Sequence, residues 1–415
     1  MSNAGRNRAF SRIAAALGLT LLNASGAWAG QTSMSDADRA VLEARFAQLK
    51  GGIMTTYDPA ERAAGEAGSK PPPRAKAPKI AASALDAAEA YARANRSTAF
   101  IVWRDGAIER ETYFGATKAD TPLVSKSLSK PLGVALVGRA IQLGYIKSLD
   151  QPVADFIPEW KGDERSKILI RHLLDMRSGL MPQGAAPTAD HILNRAYLGP
   201  RHEEVLINEY PLVAKPGERF DYSNANAELV AIVLERATQQ RFSTFLSQQL
   251  LQPIGAPDVD VWLNRPGGVA HAGCCMTTPA QTWLRLAILI MDDGVWNGKR
   301  LLPKGFVAEM RTATPQNPHV GMGLYLGEPY AQRRGFGALD VPGPRVLHSE
   351  PYLAKDLVLF DGNSDQVIYI VPSRRLIVLR LGETPPASPE WDNAFLPNAI
   401  LRGLAAGASS SGAFK

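Results

Sequence analysis

Two short runs at opposite ends of the chain constrain its fold more than any other feature. "TAFIVW", "RDG" and "AIERETYF", over residues 98–114, read as strand, turn and strand. "QVIYIV", "PSRR" and "LIVLRL", over residues 366–381, repeat that pattern near the C-terminus. Between them the apolar spacing is mainly helical, over 131–143, 168–176, 224–237, 242–250 and 279–292, and a further helix over 83–95 precedes the first hairpin. Strands at both ends with helices between predict one antiparallel sheet built from the two ends, with a helical lobe inserted between its halves. The fold class is α/β in the α+β sense, and the cleft between the lobes is the expected ligand site.

The segments before and after this unit read differently. Arg6, Arg8 and Arg12 precede the apolar run 13–22, and "AWAG" follows at 27–30. A basic start, about ten apolar residues and an Ala-x-Ala site make residues 1–29 a secretory signal peptide, too short to span a bilayer. The expected location is periplasmic or secreted, with no membrane span after cleavage. Residues 30–79 divide into an amphipathic helix over 35–50 and a Pro- and Ala-rich linker over 63–79. The main domain spans 80–405, and the Ala- and Ser-rich residues 406–415 are expected to be disordered.

Composition excludes some partners. The net charge is +6, but the basic residues are scattered and no basic run is interleaved with aromatics, which argues against nucleic acid. The six histidines show no His-x-x-x-His spacing and the two cysteines, Cys274 and Cys275, are adjacent, so neither a metal nor a cofactor is expected. Neighbouring cysteines close a tight ring, and buried free thiols are favoured over a disulfide between them.

One motif carries chemistry. "LVSKSLSKPLGVALVG" places Ser127 and Lys130 at Ser-x-x-Lys spacing, one turn apart on a single helix face, with Pro131 tolerated in the first turn. Ser127 at the edge of a helix N-terminus has a backbone N–H available to a developing oxyanion, and Lys130 lies beside its hydroxyl to accept the proton. A solvated Ser/Lys helix cap is the plain alternative. "PGERFDYSNANAELV" supplies Tyr222 and Asn224 just before a helix. Asn224 suits a helix cap, and a phenol beside an ammonium group is a usable base. Ser364 in "GNSDQ" half resembles a nucleophile elbow, but it lacks the final glycine and leads into a strand.

These segments, with "GYIKSLDQPVADFIPEW", "ILIRHLLDMRSGL" and "GVWNGKRLLP", together resemble the serine hydrolases related to class C β-lactamases and penicillin-binding proteins. That group includes esterases and 6-aminohexanoate-dimer hydrolases, and the resemblance runs from about residue 97 to 382. It implies the β-lactamase/penicillin-binding-protein fold, an antiparallel sheet flanked by helices plus an all-helical lobe. It implies Ser127 as the acylated nucleophile, Lys130 as its proton acceptor, and Tyr222 passing the proton to the leaving group and later activating water. Asn224 would contact substrate or hold Lys130, and Asn363 would donate the second oxyanion N–H. The implied substrate is a small ester or amide. Where β-lactamases carry Lys-Thr-Gly, and related esterases and amidases Gly-x-x-Gly-Gln, this chain reads Gly362, Asn363, Ser364, Asp365, Gln366. An acid in place of a glycine and the lack of a lysine disfavour a carboxylate-bearing substrate, and with it β-lactamase or D,D-peptidase activity. Enzymes of that kind, and a non-catalytic binding protein of the same fold, are the competing readings. His319 and His348 are expected in surface loops, and Trp283 in a helix core.

Overall fold

The computed structural model describes residues 34–411, apart from 51–53, 55–56, 185, 336 and 340–342. The leader expected over 1–29 lies outside the described residues. From Ser35 onward the described chain belongs to one compact unit.

The two terminal hairpins meet in one sheet. Its strands, in chain order, are β1 (Ser97–Arg104), β2 (Ala107–Tyr113), β3 (Tyr325–Leu326), β4 (Val358–Gly362), β5 (Gln366–Val371) and β6 (Leu376–Gly382). In space they run β2-β1-β6-β5-β4-β3, every neighbour antiparallel. The seam between the two ends of the chain is β1 against β6, where Val102 lies opposite Val378 and Ile101 opposite Leu379.

The central strands are apolar without alternation because both faces are covered. Phe100, Val102, Tyr369 and Val378 face the outer helices α2 (Ala82–Ala94) and α6 (Phe395–Ser411). There Tyr91 stacks on Phe395 with ring centres 4.1 Å apart. Ile101, Ile368, Ile370 and Leu379 point the other way, into the main core with α5 (Ala280–Met291) and Trp283. Residues 406–411, expected to be disordered, continue α6 as helix.

The helical lobe is organised around α3 (Ser129–Gln142), packed on α4 (Asn224–Thr238). Residues Ser129 to Ala140 of α3 are all buried, so this helix is interior on every side. The short helix Ile170–Leu174 closes against α4. The expected helix over 242–250 is helical only to Leu246 and continues as one π turn, Ser247–Leu251. "WNGK" forms the tight turn between the strands Val295–Trp296 and Lys299–Arg300, with Asn297 and Gly298 both at positive φ, as an Asn-Gly hairpin requires.

The Pro- and Ala-rich stretch is not a free spacer. After α1 (Asp36–Lys50), strand Ala60–Ala63 pairs with Val259–Trp262, and a small sheet continues through Thr277–Thr278 to Leu123–Val124. Further along, Glu66 donates its backbone N–H to Ala256 O, and Ile108 donates to Pro73 O. The extended backbone of this proline-rich run lends its carbonyls and N–H groups to the domain surface, which fixes it there.

Candidate functional site

The small sheet delivers the Ser-x-x-Lys segment to the base of α3. Leu123–Val124 pairs with Thr277–Thr278. Ser125 N then donates to Met276 O at 2.8 Å, and Met276 N donates to Ser125 Oγ at 3.1 Å. Lys126 takes φ 49°, turning the chain into a single 3-10 turn, Lys126–Leu128, that runs directly into α3. Ser127 sits on that turn, and Lys130 one turn later, on a helix buried all round.

Lys130 Nζ donates to Ser127 Oγ at 3.0 Å, to Asn224 Oδ1 at 2.8 Å and to Gly273 O at 2.6 Å. Three acceptors meet the three hydrogens of an ammonium group, so its position is fully specified. Tyr222 donates its hydroxyl to the same Ser127 Oγ at 2.9 Å, and Lys130 Nζ lies 5.0 Å from the Tyr222 ring centre. Three stretches of chain, around residues 127–130, 222–224 and 273, thus converge on the Ser127–Lys130 pair. Asn224 is the first residue of α4, with Ser223 in the capping position, and its side chain is turned to Lys130 rather than to the helix N–H groups.

A small cavity of about 20 Å³ opens beside this group, walled by Leu174, Met176, Phe220, Leu324, Tyr325 and Asp361. That is room for roughly one water molecule. It is continuous in its lining, through Tyr222, with a larger cavity of about 560 Å³ bordered by Gln183, Arg219, His319 and the segment around Arg334. A larger cavity still, about 1090 Å³, lies against the 62–74 segment, and none of Ser127, Lys130 or Tyr222 lines it. Size alone does not mark the site; the converging polar groups do.

The end of β4 runs past the turn that carries Ser127. A Cβ added at Gly362 would lie 3.3 Å from Leu128 N and 3.4 Å from Ser125 O, so a side chain there would press on that turn. Asn363 follows it, exposed, with its side-chain oxygen accepting from Ser364 N. The acidic residue that lines the small cavity is Asp361, which the sequence reading did not single out; Asp365 is not among the lining residues. Burial holds the Asp361 carboxyl well above the usual carboxylate range, with Asp365 adding to the effect. Burial likewise raises the Tyr325 phenol, assisted by Tyr222 and Asp361. Ser364 and Asp365 take φ of 69° and 54°, the left-handed region that favours glycine. Arg380, buried and donating to Ser364 O, Asn95 O, Glu383 O and Ser97 Oγ, holds that turn in place.

Three expectations are corrected. Cys274 and Cys275 are bonded to one another rather than free. Cys275 takes φ 73°, which tightens the backbone between the two residues, and the Tyr197 hydroxyl lies 2.8 Å from Cys274 Sγ. The histidines are not all isolated, since the His202 and His271 rings lie tilted with centres 4.4 Å apart and Glu228 joins them. His348 is buried, not in a surface loop: its Nδ1 faces Val346 O at 3.2 Å and its Nε2 faces Asn393 Nδ2 at 3.3 Å. His319 is half-buried on the rim of the larger cavity. No helix among the described residues is long and apolar enough to cross a membrane.

Comparison with known proteins agrees with this architecture. The Beta-lactamase family matches residues 82–390. A 6-aminohexanoate-dimer hydrolase from Paenarthrobacter ureafaciens is 26% identical over 220 residues, which cover 50% of this chain and 55% of that protein, so the match spans about half of the relative's length. Among solved structures, EstCE1, described as a hydrolase with promiscuous acyltransferase activity, superposes with a TM-score of 0.57 at 18% identity, covering 78% of this chain and 98% of that one. A family VIII carboxylesterase superposes with the same TM-score of 0.57 at 14% identity and the same coverage, 78% and 98%. At such identities these structures speak to the fold. From α2 to the segment that follows β6, the chain belongs to the beta-lactamase family.

Proposed function

We propose that this protein is a serine hydrolase that cleaves an ester or amide through an acyl-enzyme on Ser127. The observation that carries the reading is that one hydroxyl, Ser127 Oγ, lies within hydrogen-bond reach of both Lys130 and Tyr222. A serine hydroxyl is a weak nucleophile until a neighbouring base takes its proton, and this pair supplies that base.

In the first half-reaction the Lys130–Tyr222 pair starts one proton short, as a neutral amine or a phenolate; Ser127 Oγ attacks the carbonyl carbon and its proton fills that place. The tetrahedral oxyanion is met by the Ser127 N–H at the start of the helical turn and by a second N–H from the end of β4, the role assigned to Asn363. Tyr222 then delivers the proton to the departing oxygen or nitrogen, the C–O or C–N bond breaks, and the acyl group remains on Ser127. In the second half Tyr222 draws a proton from water, which attacks the ester carbonyl, and Ser127 leaves with its proton restored. Asn224 and the Gly273 carbonyl keep Lys130 fixed through both steps.

The substrate class is drawn from the walls of the site. The cavity beside Ser127 is small, mostly apolar and bounded by Asp361, with no lysine or arginine among its lining residues other than Lys130. That favours a neutral ester or linear amide over a β-lactam carboxylate. A hydrolysis screen of the purified protein across short aryl esters, linear amides, D-amino-acid amides and a chromogenic cephalosporin tests this. Turnover of the ester or linear amide, lost in Ser127→Ala, is the expected result; preference for the cephalosporin would reverse the choice.

We further propose that the protein works outside the cytoplasm. The basic and apolar leader pattern supports this, as does the Cys274–Cys275 bond, which suits an oxidising compartment. N-terminal sequencing of the protein recovered from a periplasmic extract should begin at Gly30.

A further inference from the structure

Behind Lys130 lies a second group of polar side chains that the proposed chemistry does not use. His202 begins the short helix His202–Asn208, Glu228 lies one turn into α4, and His271 follows the strand Val259–Trp262. All three are fully buried. Each offers a ligand atom, and those atoms lie within 4.8 Å of one another. His271 Nδ1 and Glu228 Oε1 are 3.6 Å apart.

These side chains are not satisfied by the protein. Both ring nitrogens of His202, both of His271 and Glu228 Oε1 have no hydrogen-bond partner among the described residues. Buried polar atoms are paired almost without exception, so this many together at one point ask for an occupant. A direct bond between Glu228 and His271 would satisfy only one pair and leave His202 as it is.

The geometry suits an ion. Metal–ligand bonds of about 2.0–2.2 Å separate the donors around a tetrahedral ion by about 3.4 Å. The His271–Glu228 pair, at 3.6 Å, is already near that spacing, and the widest pair, within 4.8 Å, needs to close by at most about 1.4 Å. Calcium and magnesium take oxygen donors, whereas two imidazoles and one carboxylate suit zinc and its first-row neighbours. Trp262 stacks on the His271 ring at 3.7 Å and fixes its plane. The Arg45 guanidinium lies on the Trp262 ring, engaged by the Leu198 and Asp58 carbonyls. We propose that His202, Glu228 and His271 bind one divalent transition-metal ion, zinc being the best match to the donor set.

Such a site is placed to brace the catalytic lysine. Glu228 Oε2 accepts the N–H of Ala272, and the next residue, Gly273, presents its carbonyl to Lys130. An ion joining His271 to Glu228 fixes the segment between them. The sequence concealed it because the three ligands lie far apart in the chain, where no spacing motif can form.

The test is a metal count that does not depend on turnover, so its outcome is separate from the hydrolase reading. Untagged protein is unfolded, stripped with a chelator, refolded with Zn²⁺ or Co²⁺, dialysed and analysed for metal. About one ion per chain is expected, with the visible absorption bands of four- or five-coordinate cobalt in the Co²⁺ form. The near-isosteric His271→Asn and Glu228→Gln should each weaken binding by roughly tenfold or more. Wild-type protein that refolds yet retains less than about a tenth of an equivalent overturns the proposal, as do folded variants that hold metal as tightly as the wild type. If neither variant folds, the wild-type count and the cobalt spectrum decide it.

Discussion

Tyr222 places its hydroxyl 2.9 Å from Ser127 Oγ across a sequence separation of 95 residues, and no shorter path through the chain links the two. The contact exists because α4 packs on α3 and carries the residues just before its N-terminus to the start of that helix. Replacing Tyr222 with phenylalanine removes one hydroxyl and leaves the ring. Steady-state kinetics should show kcat reduced by about a hundredfold or more, the scale of a lost general acid–base group. A loss under tenfold would transfer the proton-moving role to Lys130 alone.

Asn224 tests a different link, the positioning of Lys130. In Asn224→Ala one hydrogen of the lysine loses its acceptor in a buried setting, worth about 1–3 kcal/mol. Expected is a fall in kcat of about tenfold or more with the melting temperature close to wild type. Asn224→Asp, which keeps an oxygen in place, should recover part of that loss.

Gly323 lines the same cavity at φ +67°, and a Cβ there would come within 2.7 Å of Val134 Cγ2 and 3.3 Å of Pro131 Cα. Gly323→Ala therefore strains its own backbone and presses on the helix that carries Lys130. Denaturant unfolding should show a loss of about 1–3 kcal/mol, the usual cost of overpacking a filled interior. Unchanged stability would mean that the segment shifts freely.

His348 supplies a pH dependence. Burial holds its imidazole down to about 4, with Arg334 adding to the effect. The unfolded chain takes up a proton near 6.5 while the folded one does not, so stability is intact above that pH and falls as pH drops towards 4. The loss by pH 4 is on the order of 3 kcal/mol from this residue. In His348→Gln the melting temperature should fall less steeply between pH 6.5 and 4 than in wild type; an identical slope would place the protonation elsewhere.

Much of this was legible in the residues themselves. The apolar runs 98–103, 366–371 and 376–381 announced strands near both ends of the chain that share one antiparallel sheet, and their seam is β1 against β6. Ser127, Lys130 and Tyr222 stood out because their motifs are local. What stayed hidden depends on contacts between distant segments. Asp361 is an ordinary acid in a strand until β4 is laid beside the Ser127 turn. Composition marked residues 63–79 as a spacer, but it does not reveal whether extended backbone finds partners on a domain surface, as this stretch does. The Cys274–Cys275 bond depends on local backbone geometry, which composition does not encode.

The most direct test of the whole account is intact-mass analysis after treatment with a fluorophosphonate, which traps an activated serine as a covalent phosphonyl adduct. The wild-type protein should gain one adduct, mapped by peptide sequencing to Ser127, and Ser127→Ala should gain none while keeping the wild-type circular dichroism spectrum. An adduct on another residue, or undiminished hydrolysis by folded Ser127→Ala, would contradict it.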